Sequence, residues 1–235
     1  ENIKFHWPVP TRFKVLGLNT VGYENEVVFP ITAYVKDPDQ PLKLNAELQY
    51  LTCNDICIPY KTELVISLPA GKSDSTNHSQ LIRKFVAKVP GDGIKYGLNI
   101  EKVETIGEFT LLEEGVRRGI IRVVATSALP FRNPDIFVEG PELTSFLIPE
   151  VRIENGGRRA IIYIHAVEED DTHIETANLK FTLVDNGRYA TQTHTVKAAT
   201  SKYGTLEAPP TSFAIILVLA IVGGLILNLM PCVLP

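Results

Sequence analysis

The chain has 235 residues, of which 45% are hydrophobic, and its 23 Lys and Arg against 27 Asp and Glu give a formal net charge of −4. This mild acidity argues against nucleic acid as a partner, because nucleic-acid-binding domains cluster Lys and Arg on one surface. The sequence has no long run of like charge of the kind that forms a solvated tail. Its length suits one large domain or two small ones.

Residues 1–75 carry short apolar or alternating runs separated by turn-forming residues, a pattern typical of strands. The runs are VVFPITAYV (27–35), LKLNAELQYL (42–51) and ELVISLP (63–69). Two prolines make HWPVPTRF (6–13) better suited to an edge strand or an extended loop than to a central strand. We therefore predict a first sandwich-like block over residues 1–75.

A polar stretch and one short helix follow this block. The small polar residues of AGKSDSTNHSQ (70–80) indicate a boundary. In SQLIRKFVAKVP (79–90), apolar residues recur with the spacing of one helix face, and Pro90 ends the pattern.

Strand patterns return over residues 98–198. They are LNIEKVETI, EFTLLEE, GIIRVVATS, DIFVEG, RRAIIYIHAV and LKFTLVDNGRYATQTHTV. The last contains Asp185-Asn186-Gly187-Arg188, a strong hairpin signal because Asn-Gly tolerates positive φ at both central positions. Many short strands with Gly and Pro turns predict a second β-sandwich over residues 80–205. The acidic run from Glu168 to Asp171 fits a solvated hairpin turn better than a cation site.

A stiff linker, YGTLEAPP (203–210), leads into an apolar stretch without a charged residue, residues 211–235. Because a bilayer core needs about 20 apolar residues of helix, we predict a transmembrane helix there. Pro231 and Pro235 break its far end around Cys232, which indicates a cysteine that faces protein rather than lipid. The chain begins at Glu1 without a leader and stops inside this apolar run, so we expect a fragment of a longer protein.

Cys53 and Cys57 are separated by three residues in YLTCNDICIP (50–59). Asn54 and Asp55 favour a tight turn, which predicts that the cysteines face each other across a hairpin end, within reach of a disulfide. A disulfide that closes a loop this short stabilises a fold less than one that closes a long loop. A lone, closely spaced pair suits reversible exchange, and a structural bridge and a metal clip stay open as alternatives.

Metal binding at the cysteine pair requires more ligands than the surrounding sequence offers. Zinc takes four, often Cys and His, but the five histidines are scattered and no second cysteine pair exists. Copper(I) accepts two thiolates, so a copper-handling domain remains a further alternative.

The segment GGLILNLMPCVLP (223–235) resembles the start of the transmembrane domain of the DsbD/ScsB family of thiol:disulfide interchange proteins. YLTCNDICIP is similar to the N-terminal redox motif of that family, and its cysteine spacing is closer to the ScsB-like branch. FHWPVPTRF (5–13) and PDIFVEGPELTSFLIPE (134–150) resemble the same branch.

The resemblance implies immunoglobulin-like periplasmic domains, the first of them truncated, followed by a membrane domain and a C-terminal thioredoxin-like domain. Electrons would pass from cytoplasmic thioredoxin through membrane cysteines to that C-terminal domain, then to the N-terminal pair. The pair would finally reduce periplasmic thioredoxin-like or disulfide isomerase acceptors, in functions such as cytochrome c maturation. Residues 1–210 would lie in the periplasm, and residues 211–235 would lie in the lipid of the bacterial inner membrane.

By position, the resemblance makes Cys53 and Cys57 the exchange pair and Cys232 the first of two membrane cysteines, with no cofactor and no metal. It favours Cys57 as the attacking thiol. A shielding loop is expected around residues 13–18. Four residues near the pair could tune it, namely Tyr50, Asp55, Tyr60 and Glu63. The rival functions are a membrane-tethered binding module with a structural disulfide and a periplasmic copper-handling domain.

Overall fold

In the computed structural model of the protein, the described residues are 2–15, 17–37, 39–54, 56–71, 74–113, 115–169 and 173–198. The chain divides into two compact units, Glu1–Ala199 and Thr200–Pro235. The first unit contains every described residue and is mainly β, which confirms the predicted class. The predicted transmembrane helix and Cys232 lie outside the described residues.

The N-terminal part forms three separate antiparallel sheets of two strands each, in which β1 pairs with β4, β2 with β3, and β5 with β6. The strands are β1 (Asn2–Phe5), β2 (Thr11–Val15), β3 (Leu18–Gly22), β4 (Ile31–Tyr34), β5 (Leu42–Cys53) and β6 (Cys57–Leu68). Of the predicted strand 27–35, only β4 forms, because Pro30 has no N–H to donate to a ladder. Among described residues up to 71, only Pro8, Val15 and Pro30 are buried.

The predicted helix is confirmed as α1 (Ser79–Val86), which ends four residues before Pro90. Its apolar stripe buries Phe85, whose side chain is only 3% exposed. The segment after the helix holds the N-terminal part through a backbone bond, in which the Val9 N–H donates to the Lys88 carbonyl at 2.9 Å.

Two sheets that share one core form the rest of the described structure. Their strands are β7 (Leu98–Glu113), β8 (Val116–Ser127), β9 (Pro134–Glu139), β10 (Thr144–Phe146), β11 (Glu150–Glu154), β12 (Arg159–Glu169), β13 (Asn178–Asp185) and β14 (Arg188–Thr195). One sheet has the order β10-β12-β8-β7 with β11 also paired to β12, and the other has the order β14-β13-β9. Alternate residues such as Ile121, Ile162 and Phe181 are fully buried between them. This arrangement is the β-sandwich that the strand pattern predicted.

Strand β7 is longer than predicted, because the runs at 98–106 and 108–114 join into one strand. Its pairing with β8 shifts register at three places, between Ile100 and Lys102, between Ile106 and Thr110, and after Leu111. Gly107 supplies a φ of 69° inside the second shift. A bulge with a left-handed glycine thus lets the strand continue where the sequence pattern indicates a break.

The predicted turn between β13 and β14 is confirmed. Asp185 lies opposite Arg188, and the two residues between them have positive φ, 46° at Asn186 and 81° at Gly187. These are the signs of φ that a two-residue type I′ turn requires. The fully buried Asp185 carboxylate also accepts the N–H groups of Arg132 and Asn133, each at 2.8 Å.

Arg12 joins the N-terminal part to the outer edge of the smaller sheet. Its Nε donates to Asp135 at 3.1 Å, and its terminal nitrogen donates to the Ile136 carbonyl at 3.2 Å. The guanidinium also lies 5.0 Å from the centre of the Phe137 ring. One side chain of β2 therefore contacts three consecutive residues of β9.

Within the described ranges, no helix has the length and apolar character that crossing a bilayer requires. The segment 211–235, for which a span is predicted, is not among those residues.

We expect Gly119→Ala to destabilise the sandwich by about 1–3 kcal/mol through overpacking. A Cβ at Gly119 would lie 2.3 Å from ring atoms of the buried Phe109 and 2.6 Å from its Cγ, so the clash reaches the base of the ring. Urea unfolding followed by far-UV circular dichroism measures the change. The matched control is Gly91→Ala, whose Cβ meets nothing within 4 Å. Equal stability of the two variants would contradict the packing of β7 on β8.

Candidate functional site

The predicted cysteine pair closes the end of the hairpin formed by β5 and β6. The two strands stay in one register from Leu42 opposite Leu68 to Cys53 opposite Cys57, without a bulge. A disulfide joins Cys53 to Cys57. The structure thus confirms that the cysteines face each other across a hairpin end. Asp55, in the turn, lies outside the described residues.

The backbone of the turn explains how close the cysteines lie. The Asn54 N–H donates to the Ile56 carbonyl at 3.1 Å, which makes the adjacent Cys53–Cys57 pair a non-hydrogen-bonded pair of the ladder. Such pairs have their Cα atoms about 4.5 Å apart. The observed Cα–Cα distance of 4.1 Å is near this value and just below the separation of about 4.4–6.8 Å that is usual for disulfides. Pro59, two residues after Cys57, also belongs to a non-hydrogen-bonded pair, so its missing N–H removes no hydrogen bond from the ladder.

One face of the hairpin carries the disulfide and polar residues. Because side chains alternate, the pairs that follow the cysteines on this face are Leu51–Pro59, Gln49–Lys61 and Glu47–Glu63. Lys61 forms a salt bridge with Glu47 at 2.8 Å, and this hydrogen bond lowers the pKa of Glu47. Glu63 is six residues from Cys57, about 20 Å along an extended strand, so it lies too far away to tune the sulfurs directly.

The other face of the hairpin is apolar. Its second pair from the tip is Tyr50 opposite Tyr60, whose rings stack with centroids 5.4 Å apart and an interplanar angle of 17°. Both tyrosines therefore lie on the face opposite the disulfide and do not project toward the sulfurs. The large apolar residues of this face that are exposed are Leu48, Tyr50, Ile58, Tyr60, Leu64, Ile66 and Leu68.

The two cysteines differ in accessibility. Cys57 is exposed, whereas Cys53 is half-buried. Apolar side chains surround the tip, since Leu51 and Ile56 are each 64% exposed. An incoming group therefore reaches Cys57 more readily and meets an apolar surface there.

The predicted shielding segment belongs to a different hairpin, the one between β2 and β3. The ring of Phe13 lies against Gly22 of the same hairpin, 3.3 Å from where a Cβ would stand, and Leu18 is 71% exposed. Leu16 lies outside the described residues. Phe13 thus packs on its own hairpin, and shielding of the cysteines by this segment stays a prediction.

One group of potential metal ligands occurs in the described residues, formed by Glu168, His173 and Glu175. Arg117 occupies its centre, with nitrogens 2.6 Å from Glu168, 2.7 Å from Glu175 and 3.1 Å from His173. The Ile174 N–H donates to the second Glu168 oxygen at 2.9 Å. Burial raises the pKa of Glu168, which is only 1% exposed. A protein cation already contacts both carboxylates and the imidazole, which supports a structural role for the group.

Comparison with known families separates the two parts of the chain. Residues 1–69 match the family model described as thiol:disulfide interchange protein DsbD, N-terminal. Residues 88–199 match a domain of unknown function, DUF8393. No curated protein and no solved structure is significantly similar to the chain. The first match contains the whole β5–β6 hairpin and supports the resemblance to the DsbD family at the N-terminal domain.

We expect Arg117→Ala to destabilise the fold by about 1–3 kcal/mol at neutral pH, because it leaves the buried Glu168 carboxylate without its cation. The cost should shrink as the pH falls through the raised pKa of Glu168, since the protonated side chain requires no cation. Thermal unfolding at several pH values measures both effects. Arg118→Ala, next to it on the exposed face, is the control. A loss that does not change with pH would contradict this role of Arg117.

Proposed function

We propose that Cys53 and Cys57 are the exchange pair of a thiol:disulfide interchange protein, and that the chain is the N-terminal part of it. The observation that carries the proposal is a disulfide at the exposed end of a hairpin, inside the segment that matches the DsbD N-terminal family. In this position Cys57 is exposed, which suits attack by a protein partner.

The reduction of the pair proceeds through a mixed disulfide. A thiolate of a dithiol partner attacks the sulfur of the exposed residue Cys57, the Cys53–Cys57 bond breaks, and Cys53 leaves as a thiolate that takes a proton. The second partner thiol, as a thiolate, then attacks its own mixed-disulfide sulfur and releases Cys57. The partner becomes a disulfide and the hairpin a dithiol, so two electrons and two protons move to the hairpin.

The dithiol then reduces an acceptor by the reverse sequence. The thiolate of Cys57 attacks the acceptor disulfide, and Cys53 resolves the mixed disulfide by attacking Cys57. The acceptor leaves with two thiols and the hairpin disulfide is restored. Cys57 is exposed and Cys53 is half-buried, which supports Cys57 as the residue that the donor attacks in the first half and that attacks the acceptor in the second.

In the wider proposal, the chain belongs to the ScsB-like branch and its two blocks are immunoglobulin-like domains in the periplasm of a bacterium. Residues 211–235 begin a membrane domain, and Cys232 is the first of its two electron-carrying cysteines. A C-terminal thioredoxin-like domain of the same protein donates electrons that come from cytoplasmic thioredoxin. The uncharged composition of residues 211–235 supports the membrane position.

A structural disulfide is the main alternative function of the cysteine pair. A bridge that closes so short a loop contributes about 2 kcal/mol by the loop-entropy relation, against about 3 kcal/mol for a 15-residue loop. The two strands already hold the same residues opposite each other along their full length. The bridge is thus a modest addition to an existing ladder, which favours exchange over stabilisation.

We expect the Cys53–Cys57 couple to have a reduction potential above about −300 mV, because structural disulfides typically lie below that value. Equilibration of the chain in glutathione redox buffers, followed by alkylation of free thiols and mass spectrometry, measures it. A potential below about −300 mV would instead support the binding module with a structural bridge. Titration of the reduced chain with Cu(I) in competing thiol checks the copper alternative, which requires stoichiometric binding that Cys53→Ser abolishes.

We expect Cys53→Ser to accumulate a mixed disulfide with an oxidised thioredoxin-like protein, because Cys57 attacks and no resolving thiol remains. Non-reducing electrophoresis detects the adduct, and peptide mass spectrometry shows whether Cys57 carries it. The matched control is Cys57→Ser, which keeps the half-buried Cys53 and should form much less adduct. More adduct with Cys57→Ser than with Cys53→Ser would reverse the assigned roles.

A further inference from the structure

We infer that the stacked pair of Tyr50 and Tyr60 positions the two cysteines when they are reduced, and thereby sets their reduction potential. The inference rests on the proposed exchange function and assigns a role to two residues that do not touch the sulfurs. They are positioning residues, since they act through the backbone of the hairpin.

The tyrosines lie close to the cysteines along the ladder. Tyr50 opposite Tyr60 is the third pair from Cys53 opposite Cys57, and its rings lie on the other face of the two-stranded sheet. The stacked rings hold the two strand backbones at a fixed spacing. This spacing places the sulfurs opposite each other on the other face of the hairpin. The geometry of the thiols thus depends on a contact that lies on the face opposite the sulfurs.

Few other interactions hold the tip once the disulfide is broken. On the disulfide face, the pair between the tyrosines and the tip is Leu51–Pro59, a non-hydrogen-bonded pair that adds no backbone hydrogen bond. Every described residue of β5 and β6 is exposed or half-buried, so burial against other elements does not hold the tip closed. An isolated two-stranded hairpin is marginally stable in water. Cross-strand side-chain pairs therefore decide how often the reduced tip is closed.

The disulfide and the tyrosine pair favour the same closed tip, so they are thermodynamically linked. In the oxidised form the covalent bond holds the register whether or not the rings stack. In the dithiol form the stack does so, which raises the effective concentration of one thiol at the other. Loss of the stack should lower the equilibrium constant for disulfide formation and make the pair easier to reduce.

The test compares the reduction potentials of Tyr50→Leu, Tyr50→Phe and the unchanged chain in glutathione and dithiothreitol buffers. Tyr50→Leu should lower the equilibrium constant for disulfide formation about two- to tenfold, the range for an aromatic cross-strand pair. At about 30 mV per tenfold for a two-electron couple, the potential rises by about 10–30 mV. Tyr50→Phe keeps the ring and should retain the original potential.

The matched control is Ile66→Ala, on the same apolar face but at the other end of the hairpin, opposite Leu44. It weakens the hairpin far from the cysteines and should leave their potential unchanged. An unchanged potential in Tyr50→Leu, or an equal rise in Ile66→Ala, would overturn the inference even if the pair exchanges with partners. If the unchanged chain has a potential below about −300 mV, the proposed function fails, while the difference between variants still decides the role of the tyrosines.

Discussion

The register of the β5–β6 ladder is the constraint on which the rest of the site depends. Side chains alternate between the two faces of a strand, so a slip of one residue moves every side chain of that strand to the opposite face. With the observed register, Cys53 lies opposite Cys57 and Tyr50 lies opposite Tyr60. A slip of one strand would place the two sulfurs on opposite faces and would also separate the two rings. The disulfide and the aromatic stack are therefore two consequences of a single alignment.

Within the first unit, the sandwich contains the buried core, and the N-terminal part contains the cysteine pair. The sandwich buries a continuous apolar core, whereas the described N-terminal residues bury only three side chains. Arg12 contacts the edge of β9, and every described residue of β5 and β6 is exposed or half-buried, so the hairpin with the cysteines is not packed into the core. Regions with few buried contacts open at low free-energy cost. A sulfur that must meet another protein's sulfur is better placed in such a region than inside a sandwich.

The sequence predicted the two turns, because their geometry depends on the turn residues themselves. The residues between Cys53 and Cys57 indicated a turn, and Asn186-Gly187 indicated the β13–β14 hairpin, because turn residues act on their own backbone. The short strands β10 and β11 were not predicted, since three to five residues paired to β12 carry little pattern of their own.

Contacts between distant residues were beyond what the sequence could show. Arg117 meets Glu168 and Glu175 across more than 50 residues, and no spacing rule connects them. The cysteine pair was predicted from its spacing, and Tyr50 and Tyr60 were recognised as neighbours of it. Their position on the opposite face required the register, which the sequence leaves open when both strands carry apolar residues at neighbouring positions. Similarly, Glu63 is near the pair in sequence but far from it along an extended strand, because extension separates residues that a turn would bring together.

In the proposed cycle, a hairpin that stays closed in both oxidation states suits repeated exchange. Fixing backbone residues costs about 1–2 kcal/mol each, so a tip that opened fully on reduction would have to be ordered again in every cycle. Contacts that persist when the disulfide is reduced keep the two sulfurs near each other. Only the bond between them then has to break and form again. In our inference the ladder and its tyrosine pair are such contacts, since neither contains the bond that the proposed reaction breaks. In the proposed function, the sulfurs exchange at the exposed end of a hairpin whose strands the reaction does not need to separate.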